Sequence, residues 1–461
     1  MLLAKVLRRL VTYGDLVVID ADGESHRFGG RPITDVSPAD LPAPVRLRLK
    51  DRRLHWRLVV NPGLAFGEGY MDGGIEIEQG SLRDVLGLFM YNMHRGNGHW
   101  TIRLQERLNG WLRWLHQHNP VDVARKNVAH HYDLSGELYD LFLDRDRQYS
   151  CAYFPTGMES LDVAQEAKKR HIAAKLLLQP GLRVLDIGCG WGGMALYLAR
   201  EFGAHVTGVT LSREQLAVAR RRAAEEKLEH RVTFQLLDYR LVDDQFDRIV
   251  SVGMFEHVGA RHYREFFGKV RDLLKPDGIA LLHTIGRPEP PGGTNAWIRK
   301  YIFPGGYSPA LSELMAAVEH ERLIPCDVEM LRLHYAKTLR HWHDRFQANR
   351  DEAKALYDER FCRMWEFYLV ASEMAFRHES HMIFQVQLAR HQEAVPLVRD
   401  YVTAFEATQP LRLAAAEDRA AAPARRTAAR PKTAAGRGNG SRKPQPATAE
   451  APARSREPVA H

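Results

Sequence analysis

The sequence predicts an α/β protein whose main domain is a doubly wound parallel sheet, and three observations lead to this fold class. Short apolar runs alternate with helical stretches between residues 160 and 285. A glycine-rich turn follows the first of these runs, and a helical pattern follows the turn. Strands that alternate with helices are typical of parallel sheets covered on both faces. We therefore expect a smaller α+β domain over 1–119, the sheet domain over 120–405 and a disordered tail over 411–461.

The first domain begins with a short amphipathic helix and continues with alternating runs that predict a sheet of short strands. These runs are LVVID at 16–20, VRLRL at 45–49, LHWRLVV at 54–60 and IEIE at 75–78. A helical stretch rich in Leu, Trp and Arg follows over 81–118. It is expected to stop at Asn119-Pro120, because a residue before proline disfavours the helical conformation.

The main domain begins with a helical stretch over 161–179 that stops at Pro180-Gly181. Pro276-Asp277-Gly278 is predicted as a tight turn into the last of the strands that follow. The segment 311–405 is rich in aromatic residues and is predicted to be mostly helical. The predicted strands are RVLDIG at 183–188, HVTGV at 205–209, VTFQL at 232–236, DRIVSV at 247–252 and IALLHTI at 279–285.

Most of the positive charge lies in the C-terminal tail. The formal net charge is +8, and 411–461 carries 11 Lys and Arg against 4 Asp and Glu. The remainder is nearly neutral, so the sequence gives no sign of a nucleic-acid surface and no nucleic acid is expected as a partner. The tail is dominated by Ala, Pro, Arg and Gly and cannot bury enough apolar surface to offset its ordering entropy, which predicts disorder.

Hydropathy and cysteine usage indicate a cytoplasmic protein. No run of about 18 uncharged apolar residues is present, so no membrane-spanning helix is expected. The N-terminus lacks the order of charged, apolar and small residues that marks a signal peptide. Cys151, Cys189, Cys326 and Cys362 are scattered without metal-ligand spacing, which favours a reducing compartment and no metal site.

The segment 184–193 reads VLDIGCGWGG and places glycines between the first strand of the sheet and the next helix. Glycine lets a backbone approach a ligand closely, and a helix N-terminus offers free N–H groups. The glycines also satisfy the dinucleotide pattern GxGxxG. However, Asp186 suits a cationic amino-acid ligand, and the second strand ends in VTLS at 209–212 without the carboxylate that an NAD ribose needs. A structural turn in another α/β fold is the alternative.

Two pairs of residues follow the second and third strands. Ser212 and Gln215 fit a capping box at the start of a helix, and capping alone explains both, so a ligand role is additional. Asp238 and Tyr239 end the third strand. The carboxylate there could accept a hydrogen bond from an adenine amino group and the ring could cover the base, whereas an ordinary exposed loop aspartate is the alternative.

Several motifs in one order resemble the cyclopropane-fatty-acyl-phospholipid synthase family. They are SCAYF at 150–154, LDIGCGWGG at 185–193, GVTLSREQ at 208–215, FDRIVSVGMFEHVG at 246–259, LLHTIG at 281–286, the WI…YIFPGG run at 297–306 and HYAKTLRHWHDRF at 334–346. The resemblance is strong over 120–405 and looser over 1–119, where GEGYMDGGIEI at 67–77 carries it. It implies a class I S-adenosylmethionine methyltransferase-like sheet of seven strands.

The implied reaction transfers the methyl group of S-adenosylmethionine to a cis double bond in a phospholipid acyl chain and closes a cyclopropane ring. An alkene has no proton to remove at first, so an activated Ser or Cys nucleophile is not needed. Attack leaves a carbocation, which nearby aromatic faces would stabilise. A base must then take one proton, and the resemblance implies that this base is a bound bicarbonate.

The resemblance also implies the residues of the site. The bicarbonate cluster is Cys151 and Ile285 through backbone N–H groups, with Glu256, His283 and Tyr335 through side chains. The cofactor residues are Tyr149, Ser150, Asp186, Gly188, Gly190, Thr210, Leu211, Ser212, Gln215 and Tyr239, and Asp238 is added from the reasoning above. Each catalytic candidate has a structural alternative as a buried packing residue. Only Glu256 stands without the resemblance, because the end of a strand is where open α/β sheets bind ligands.

One departure concerns the late segment 368–377, where some family members carry a cysteine and this chain has Ser372. A covalent thiol mechanism at that position is therefore excluded, and the bicarbonate mechanism is unaffected. Related enzymes make methyl-branched chains or methylate small amines, and these activities are the alternative functions. A lipid-binding module without catalysis is a further alternative, disfavoured by the intact glycine loop.

The implied substrate is anchored in a bilayer, and this determines the expected partners. We expect the 1–119 domain to bind the membrane surface peripherally at the cytoplasmic inner face, with the helical stretch 81–118 as the main contact. A homodimer is a further expectation from the resemblance.

Overall fold

The computed structural model describes residues 2–97 and 135–414. The N-terminal part begins with helix α1, Leu2–Leu10, as the amphipathic pattern predicts. A four-stranded sheet follows, with strands in the order β2-β1-β3-β4. The strands are β1 Asp15–Ile19, β2 Ser25–Gly29, β3 Val45–Leu49 and β4 Ile75–Gln79. Three of the predicted strands are confirmed here, whereas β2 gave no sequence signal because its one buried side chain is Phe28.

The prediction of a strand at 54–60 is wrong, because this run lies in helix α2, Arg52–Val60. Asp51 caps the helix by accepting a hydrogen bond from the backbone N–H of Arg53 at 2.8 Å. Leu54 is buried and Leu58 is half-buried, but Trp56, which would share their face in a strand, is exposed. This burial pattern is helical rather than that of a strand.

Helices α3, Pro62–Met71, and α4, Leu82–Asn92, complete the N-terminal part. A capping box formed by Ser81 and Asp84 begins α4, and a π-helical turn over Met93–Asn97 continues it. The predicted helix at 81–118 is therefore helical as far as 97. Its remainder, and the predicted stop at Asn119-Pro120, lie outside the described residues.

The large sheet has seven strands in the order β10-β11-β9-β8-β5-β6-β7. Its strands are β5 Arg183–Ile187, β6 His205–Thr210, β7 Val232–Leu236, β8 Phe246–Val252, β9 Leu274–Gly286, β10 Ile324–Leu331 and β11 Met382–Ala389. The pairs from β7 to β9 are parallel, whereas β11 runs antiparallel to both β9 and β10. This arrangement confirms the α/β class, and the first five strands of this sheet agree with the sequence prediction.

The described residues from 135 on also form helices, and several of them cover this sheet. The helices are α5 Gly136–Asp140, α6 Leu161–Lys175, α7 Gly193–Phe202, α8 Arg213–Glu225, α9 Tyr263–Leu273, α10 Ala296–Tyr301, α11 Leu311–His320, α12 His334–Ala348, α13 Arg350–Leu356, α14 Glu359–His378 and α15 Asp400–Thr408. Leu185 and Ile187 of β5 pack with side chains of α9 and α11, whereas Val184 packs with those of α6 and α7. Both faces of the sheet are thus buried.

The segment 311–405 is mostly helical, as predicted, although it also contains the strands β10 and β11, which were not predicted. Two local predictions are corrected. Helix α6 ends at Lys175 rather than 179, because Leu177 adopts a left-handed conformation with φ of 47°. Pro276-Asp277-Gly278 is not a separate turn before the strand, because β9 begins at Leu274 and the tripeptide lies in an irregularity of it.

Helix α14 joins the two parts of the chain. The carboxylate of Glu373, fully buried, lies 2.7 Å from Arg83 of α4, 3.1 Å from Arg340 of α12 and 2.9 Å from Arg377. The apolar face of α4 packs against α14 near Met374, whose sulfur would lie 3.5 Å from a Cβ on Gly87. The helix thus contacts the N-terminal part and the helix that carries Tyr335.

The described part of the predicted tail begins on the sheet domain. The backbone N–H groups of Arg412 and Leu413 donate to the buried carboxylate of Glu166 at 2.9 and 2.8 Å. The rest of the predicted disordered tail, from 415 on, lies outside the described residues. Among the helices of the described residues, none combines the length and apolarity that crossing a membrane requires.

Candidate active site

A cleft opens at the carboxyl ends of β5, β6 and β8, where open α/β sheets bind ligands. The space between its lining atoms, including the part open to solvent, is about 1180 Å³. All the predicted cofactor residues except Ser212 line it. The lining includes Tyr149, Ser150, Asp186, Gly188, Gly190, Thr210, Leu211, Gln215, Asp238 and Tyr239.

The glycines of the loop after β5 have different roles. Gly188 has a φ of 82°, and a Cβ there would lie 2.8 Å from the side chain of Met254. Gly190 has a φ of 54°, and a Cβ there would meet no protein atom within 4 Å. The protein itself therefore excludes a side chain at Gly188. At Gly190 the positive φ disfavours other residues, and the space beside the glycine belongs to the cleft.

Asp186 ends β5 on the wall of the cleft. Its side chain is buried, and among the described residues its Oδ2 has no hydrogen-bond partner. Burial raises the pKa of this carboxyl to about 7, against a smaller lowering by the nearby Lys168 ammonium. A buried carboxylate oxygen without a partner fits a ligand that brings its own cationic donor.

Ser212 and Gln215 occupy the start of α8, with different partners than the capping box predicts. Ser212 accepts from the Gln215 backbone N–H at 3.2 Å, which is half of a capping box. The Gln215 side chain accepts instead from the Thr210 hydroxyl at 2.9 Å. Ser212 is thus a helix cap beside the cleft, and Thr210 and Gln215 form a fixed pair on its wall.

Asp238 and Tyr239 lie at the end of β7. Both oxygens of Asp238 accept hydrogen bonds from the Arg240 guanidinium, at 2.9 and 2.8 Å. Asp238 is almost fully buried, so it is not an exposed loop aspartate. Tyr239 packs edge-on against Phe266 at 5.4 Å between ring centroids and contributes to the cleft.

Glu256 lies in a 3₁₀ turn, Phe255–His257, just beyond the end of β8, as expected from the sequence. Its Oε1 accepts the backbone N–H of Ile285 on β9 at 2.6 Å. Its Oε2 is buried and has no hydrogen-bond partner among the described residues. Burial raises the pKa of Glu256 to about 7. The expectation that Ile285 offers its N–H to an anion is corrected, since Glu256 already accepts it.

His283 lies two residues before Ile285 on β9 and is almost fully buried. Its Nδ1 lies 3.1 Å from the side-chain nitrogen of Gln385 on β11. Its Nε2 has no hydrogen-bond partner among the described residues. Burial lowers the pKa of His283 well below its usual value, so the ring is neutral at neutral pH.

Cys151 and Tyr335 are connected through helix α12. The Cys151 thiol donates to the Ala152 carbonyl at 3.2 Å, and burial raises its pKa above the usual range. The backbone N–H of Ala152 donates to Thr338, which follows Tyr335 on α12 by three residues. Tyr335 packs edge-on against Phe376 at 4.9 Å. Because its pKa is raised, the Cys151 thiol is not a nucleophile at neutral pH.

The cluster adjoins the cofactor cleft without lining it. Cys151 follows the lining residue Ser150, and Glu256 precedes the lining residue His257. The backbone N–H of Gly253 donates to the His283 carbonyl at 2.9 Å, which joins the ends of β8 and β9. The predicted cofactor residues and the predicted cluster thus share one end of the sheet.

Aromatic side chains that sequence reasoning missed surround this region. Tyr149 stacks on Trp342 at 5.1 Å between centroids, and its hydroxyl lies 2.9 Å from that of Tyr368. Tyr368 packs edge-on against Phe303 at 5.8 Å. The sequence indicated only that 311–405 is rich in aromatic residues. It did not indicate that Trp342 and Tyr368 contact Tyr149.

A buried lysine was also missed. Lys168 of α6 is fully buried and donates at 2.8 Å to both the Gln148 amide oxygen and the Ser150 hydroxyl. Burial lowers its pKa to about 7. It fixes the segment that carries Tyr149, Ser150 and Cys151. Its position on a helix with two other lysines gave no sequence signal.

The state of Asp186 predicts how cofactor affinity depends on pH. A carboxyl with a pKa of about 7 is neutral below that pH and charged above it. We expect the dissociation constant of S-adenosylmethionine, measured by calorimetry, to be several-fold larger at pH 6 than at pH 8, because a neutral Asp186 pairs poorly with a cationic ligand. Asp186→Asn should bind weakly and lose most of this dependence. Equal pH dependence in that variant would assign the effect to another group, such as Lys168.

Comparisons with known proteins agree with this geometry. The family model described as "Mycolic acid cyclopropane synthetase" matches residues 120–386. The chain is 39% identical over 358 residues to a cyclopropane-fatty-acyl-phospholipid synthase of Escherichia coli K12, covering 76% of this chain and 88% of that protein. It is 36% identical over 409 residues to a tuberculostearic acid methyltransferase of Mycobacterium tuberculosis, covering 84% of this chain and 90% of that protein.

A solved structure is similar over the sheet domain. It is a mycolic acid cyclopropane synthase in complex with SAH and CTAB, with 34% sequence identity and a TM-score of 0.54. The similarity covers 57% of this chain and 97% of that one. That protein therefore binds S-adenosylhomocysteine on the same fold.

Proposed function

Because the chain belongs to the mycolic acid cyclopropane synthetase family, we propose that it forms cyclopropane rings on the unsaturated acyl chains of phospholipids. As its relatives indicate, it is an S-adenosylmethionine-dependent methyltransferase of the cyclopropane synthase type. The observation that carries the proposal is the pair of unpartnered buried atoms, Glu256 Oε2 and His283 Nε2, beside the cofactor cleft. The oxygen of Glu256 can accept a hydrogen bond, and the nitrogen of His283 can donate one when it carries a proton.

The residues of the cleft fit the cofactor. S-adenosylmethionine supplies an electrophilic methyl group when it is bound. The unpartnered oxygen of Asp186 suits its cationic amino-acid end, and the open space at Gly190 leaves room for it. Thr210, at the end of the neighbouring strand β6, and Gln215 of α8 hold each other by a hydrogen bond. The protein thus contributes position rather than a nucleophile.

The cluster beside the cleft fits a bicarbonate ion, which would supply the base for the departing proton. Glu256 Oε2 would accept a hydrogen bond from its OH, and His283 Nε2 would donate to an oxygen. Tyr335 and the backbone N–H of Cys151 remain proposed further ligands. Since Ile285 already donates to Glu256 at 2.6 Å, its part is to orient that carboxylate.

The aromatic rings around Tyr149 suit the rest of the reaction. A carbocation on the acyl chain is stabilised by aromatic faces, each contributing about 1 kcal/mol or more in a desolvated site. Tyr149, which lines the cleft, contacts both Trp342 of α12 and Tyr368 of α14. We therefore place the double bond of the substrate beside this group.

The membrane contact is proposed on α2 rather than on the stretch 81–118. The described part of that stretch, α4, buries its apolar face against α14. Helix α2 instead exposes Trp56, which is 63% accessible, together with Val60 and three arginines, Arg52, Arg53 and Arg57. An exposed tryptophan among basic residues is typical of helices that lie in a membrane interface.

Weakened vesicle binding by the double variant Trp56→Ala/Arg53→Glu would support this placement. Each basic residue near an anionic surface contributes about 1 kcal/mol, so a charge reversal with loss of the indole should lower binding by about 10-fold or more at low salt. Sedimentation with phosphatidylglycerol vesicles measures it. Leu397→Ala, which removes an exposed apolar side chain far along the chain, is the control. Unchanged binding of the double variant would place the contact elsewhere.

The function itself is tested by expression in a host that lacks cyclopropane lipids, followed by mass spectrometry of total fatty acids. A gain of one CH₂ with loss of the double bond and formation of a ring supports the proposal. The Gly190→Val variant serves as the control. No new fatty acid from a folded, cofactor-binding protein would overturn it.

A methyl-branched product is the second candidate. It is favoured by the similarity over 84% of the chain to a protein named for methylation rather than for cyclopropane formation. The two products differ in where the carbocation loses its proton: loss from the added methyl group closes the ring, whereas loss from a neighbouring chain carbon leaves a methyl branch and a double bond. These products have the same mass, so they are separated by whether the product still reacts as an alkene before mass spectrometry. The site described here serves either outcome until the proton is removed.

A further inference from the structure

His283 and Gln385 face each other across two neighbouring strands. They are paired in register between β9 and β11, and both side chains are buried, with 1% and 0% of their surface accessible. The side-chain nitrogen of Gln385 lies 3.1 Å from His283 Nδ1. A glutamine side-chain nitrogen can only donate a hydrogen bond. In this arrangement Nδ1 is therefore the acceptor.

This contact determines which ring nitrogen of His283 carries the proton. A neutral imidazole has one N–H, and the hydrogen bond made by one nitrogen fixes the state of the other. Burial, helped by the positive charges of Lys168 and Lys175 and by His171 and His334, keeps the pKa of His283 well below its usual value. The single proton must then be on Nε2, the atom without a partner.

The next glutamine on the same strand shows that this role is specific. Gln387 is also fully buried, but its side-chain nitrogen donates to the Lys175 carbonyl at 2.5 Å and to the Tyr401 hydroxyl at 2.8 Å. Its amide is thus committed to α6 and to Tyr401. The amide oxygen of Gln385, by contrast, has no hydrogen-bond partner among the described residues. The side chain of Gln385 therefore interacts through its nitrogen with His283.

We propose that Gln385 is a positioning residue that holds His283 in the Nε2–H tautomer, so that His283 presents a donor to an anionic oxygen of the bicarbonate. This inference rests on the proposed function. With the other tautomer, a lone pair on Nε2 would face the anion and repel it. Outer partners of this kind fix ring orientation and tautomer in metal sites for the same physical reason.

The first test reads the tautomer directly. Histidine labelled with ¹⁵N gives different shifts for protonated and bare ring nitrogens, and His283 is assigned by the signal lost in His283→Asn. We expect a neutral ring protonated at Nε2 in the wild type, and a mixture of tautomers in Gln385→Leu. A wild-type ring protonated at Nδ1, or an unchanged tautomer in Gln385→Leu, would overturn the inference.

The second test measures the bicarbonate dependence of turnover. Gln385→Leu should raise the half-saturating bicarbonate concentration by about 10-fold or more, while the dissociation constant of S-adenosylmethionine changes less than about 2-fold. Gln387→Leu is the matched control, because it removes an equally buried amide from the same strand and face. It should lower stability but leave the bicarbonate dependence unchanged. Equal shifts in the two variants would indicate a general structural effect and contradict the proposal.

The two tests separate this inference from the proposed function. If wild-type turnover does not depend on bicarbonate, the proposed base is wrong, yet the tautomer experiment still decides whether Gln385 fixes His283. If turnover depends on bicarbonate and the wild-type ring is protonated at Nδ1, the function stands and the role of Gln385 is wrong.

Discussion

Glu256→Gln is expected to lower turnover by about 10²-fold or more, the usual scale for groups that handle a proton. The glutamine oxygen can still accept the Ile285 N–H, as Oε1 does at 2.6 Å. Its NH₂ group would then occupy the place of the unpartnered Oε2 and present a donor where the bicarbonate OH needs an acceptor. Because Glu256 does not line the cofactor cleft, the affinity for S-adenosylmethionine should change little.

The fold should tolerate this change. Burial raises the pKa of Glu256 from its usual value to about 7, so the charged form is disfavoured in the folded state and costs stability once the pH exceeds the unfolded pKa. A neutral glutamine avoids that cost. Glu166→Gln is the control, because Glu166 is also buried and also accepts backbone N–H groups, but those of Arg412 and Leu413, and it does not line the cleft.

Bicarbonate depletion completes the test of Glu256. We expect removal of bicarbonate to slow the wild type strongly and the Glu256→Gln variant much less, because the variant has already lost the anion. The rates are measured in rigorously degassed buffer with and without added bicarbonate. A wild-type rate indifferent to bicarbonate would return the base role to Glu256 or His283 itself.

Gly190→Val is expected to abolish S-adenosylmethionine binding without unfolding the protein. A valine side chain there would meet no protein atom at its Cβ, so the fold has room for it. That room belongs to the cleft, however, and a φ of 54° is strongly disfavoured for a β-branched residue. Calorimetry should detect no binding at concentrations that saturate the wild type.

A second glycine separates strain from loss of the site. Gly181 has a φ of 83° and, like Gly190, nothing within 4 Å of its Cβ position, but it lies in the turn before β5. Gly181→Val should therefore lower the melting temperature by a similar amount and retain cofactor affinity. Normal affinity in Gly190→Val would remove the basis of the cofactor assignment.

The sequence predicted the strands of the large sheet where apolar runs alternate with helices. It missed β11, which lies in the segment predicted to be mostly helical, although Gln385 and Gln387 alternate with apolar residues there and both faces of the strand are buried. It also failed at α2, because a short run such as LHWRLVV satisfies strand and helix periodicity together. The hydrogen bond from the Arg53 backbone N–H to Asp51 caps this segment as a helix. The hydropathy pattern of a sequence does not show such a contact.

The cofactor residues could be predicted because they lie in short motifs next to strand ends. The assignment of Glu256, His283 and Tyr335 came from resemblance, since these residues are far apart in sequence. The fold brings the turn that carries Glu256 beside β9, which carries His283, whereas Tyr335 lies on α12. Lys168 and Gln385 were missed for the same reason. Their roles depend on which polar atoms share a buried space, and that information is three-dimensional.

The buried carboxylate of Glu373 makes the N-terminal part inseparable from the rest. Removing residues before 98 would take Arg83 away from it and uncover the face of α14 that α4 now shields. A charge at the centre of the molecule would then lose one of its three counter-ions, which is costly for a buried group. The first hundred residues are therefore expected to unfold cooperatively with the sheet domain, and a shortened gene product should be difficult to keep in solution.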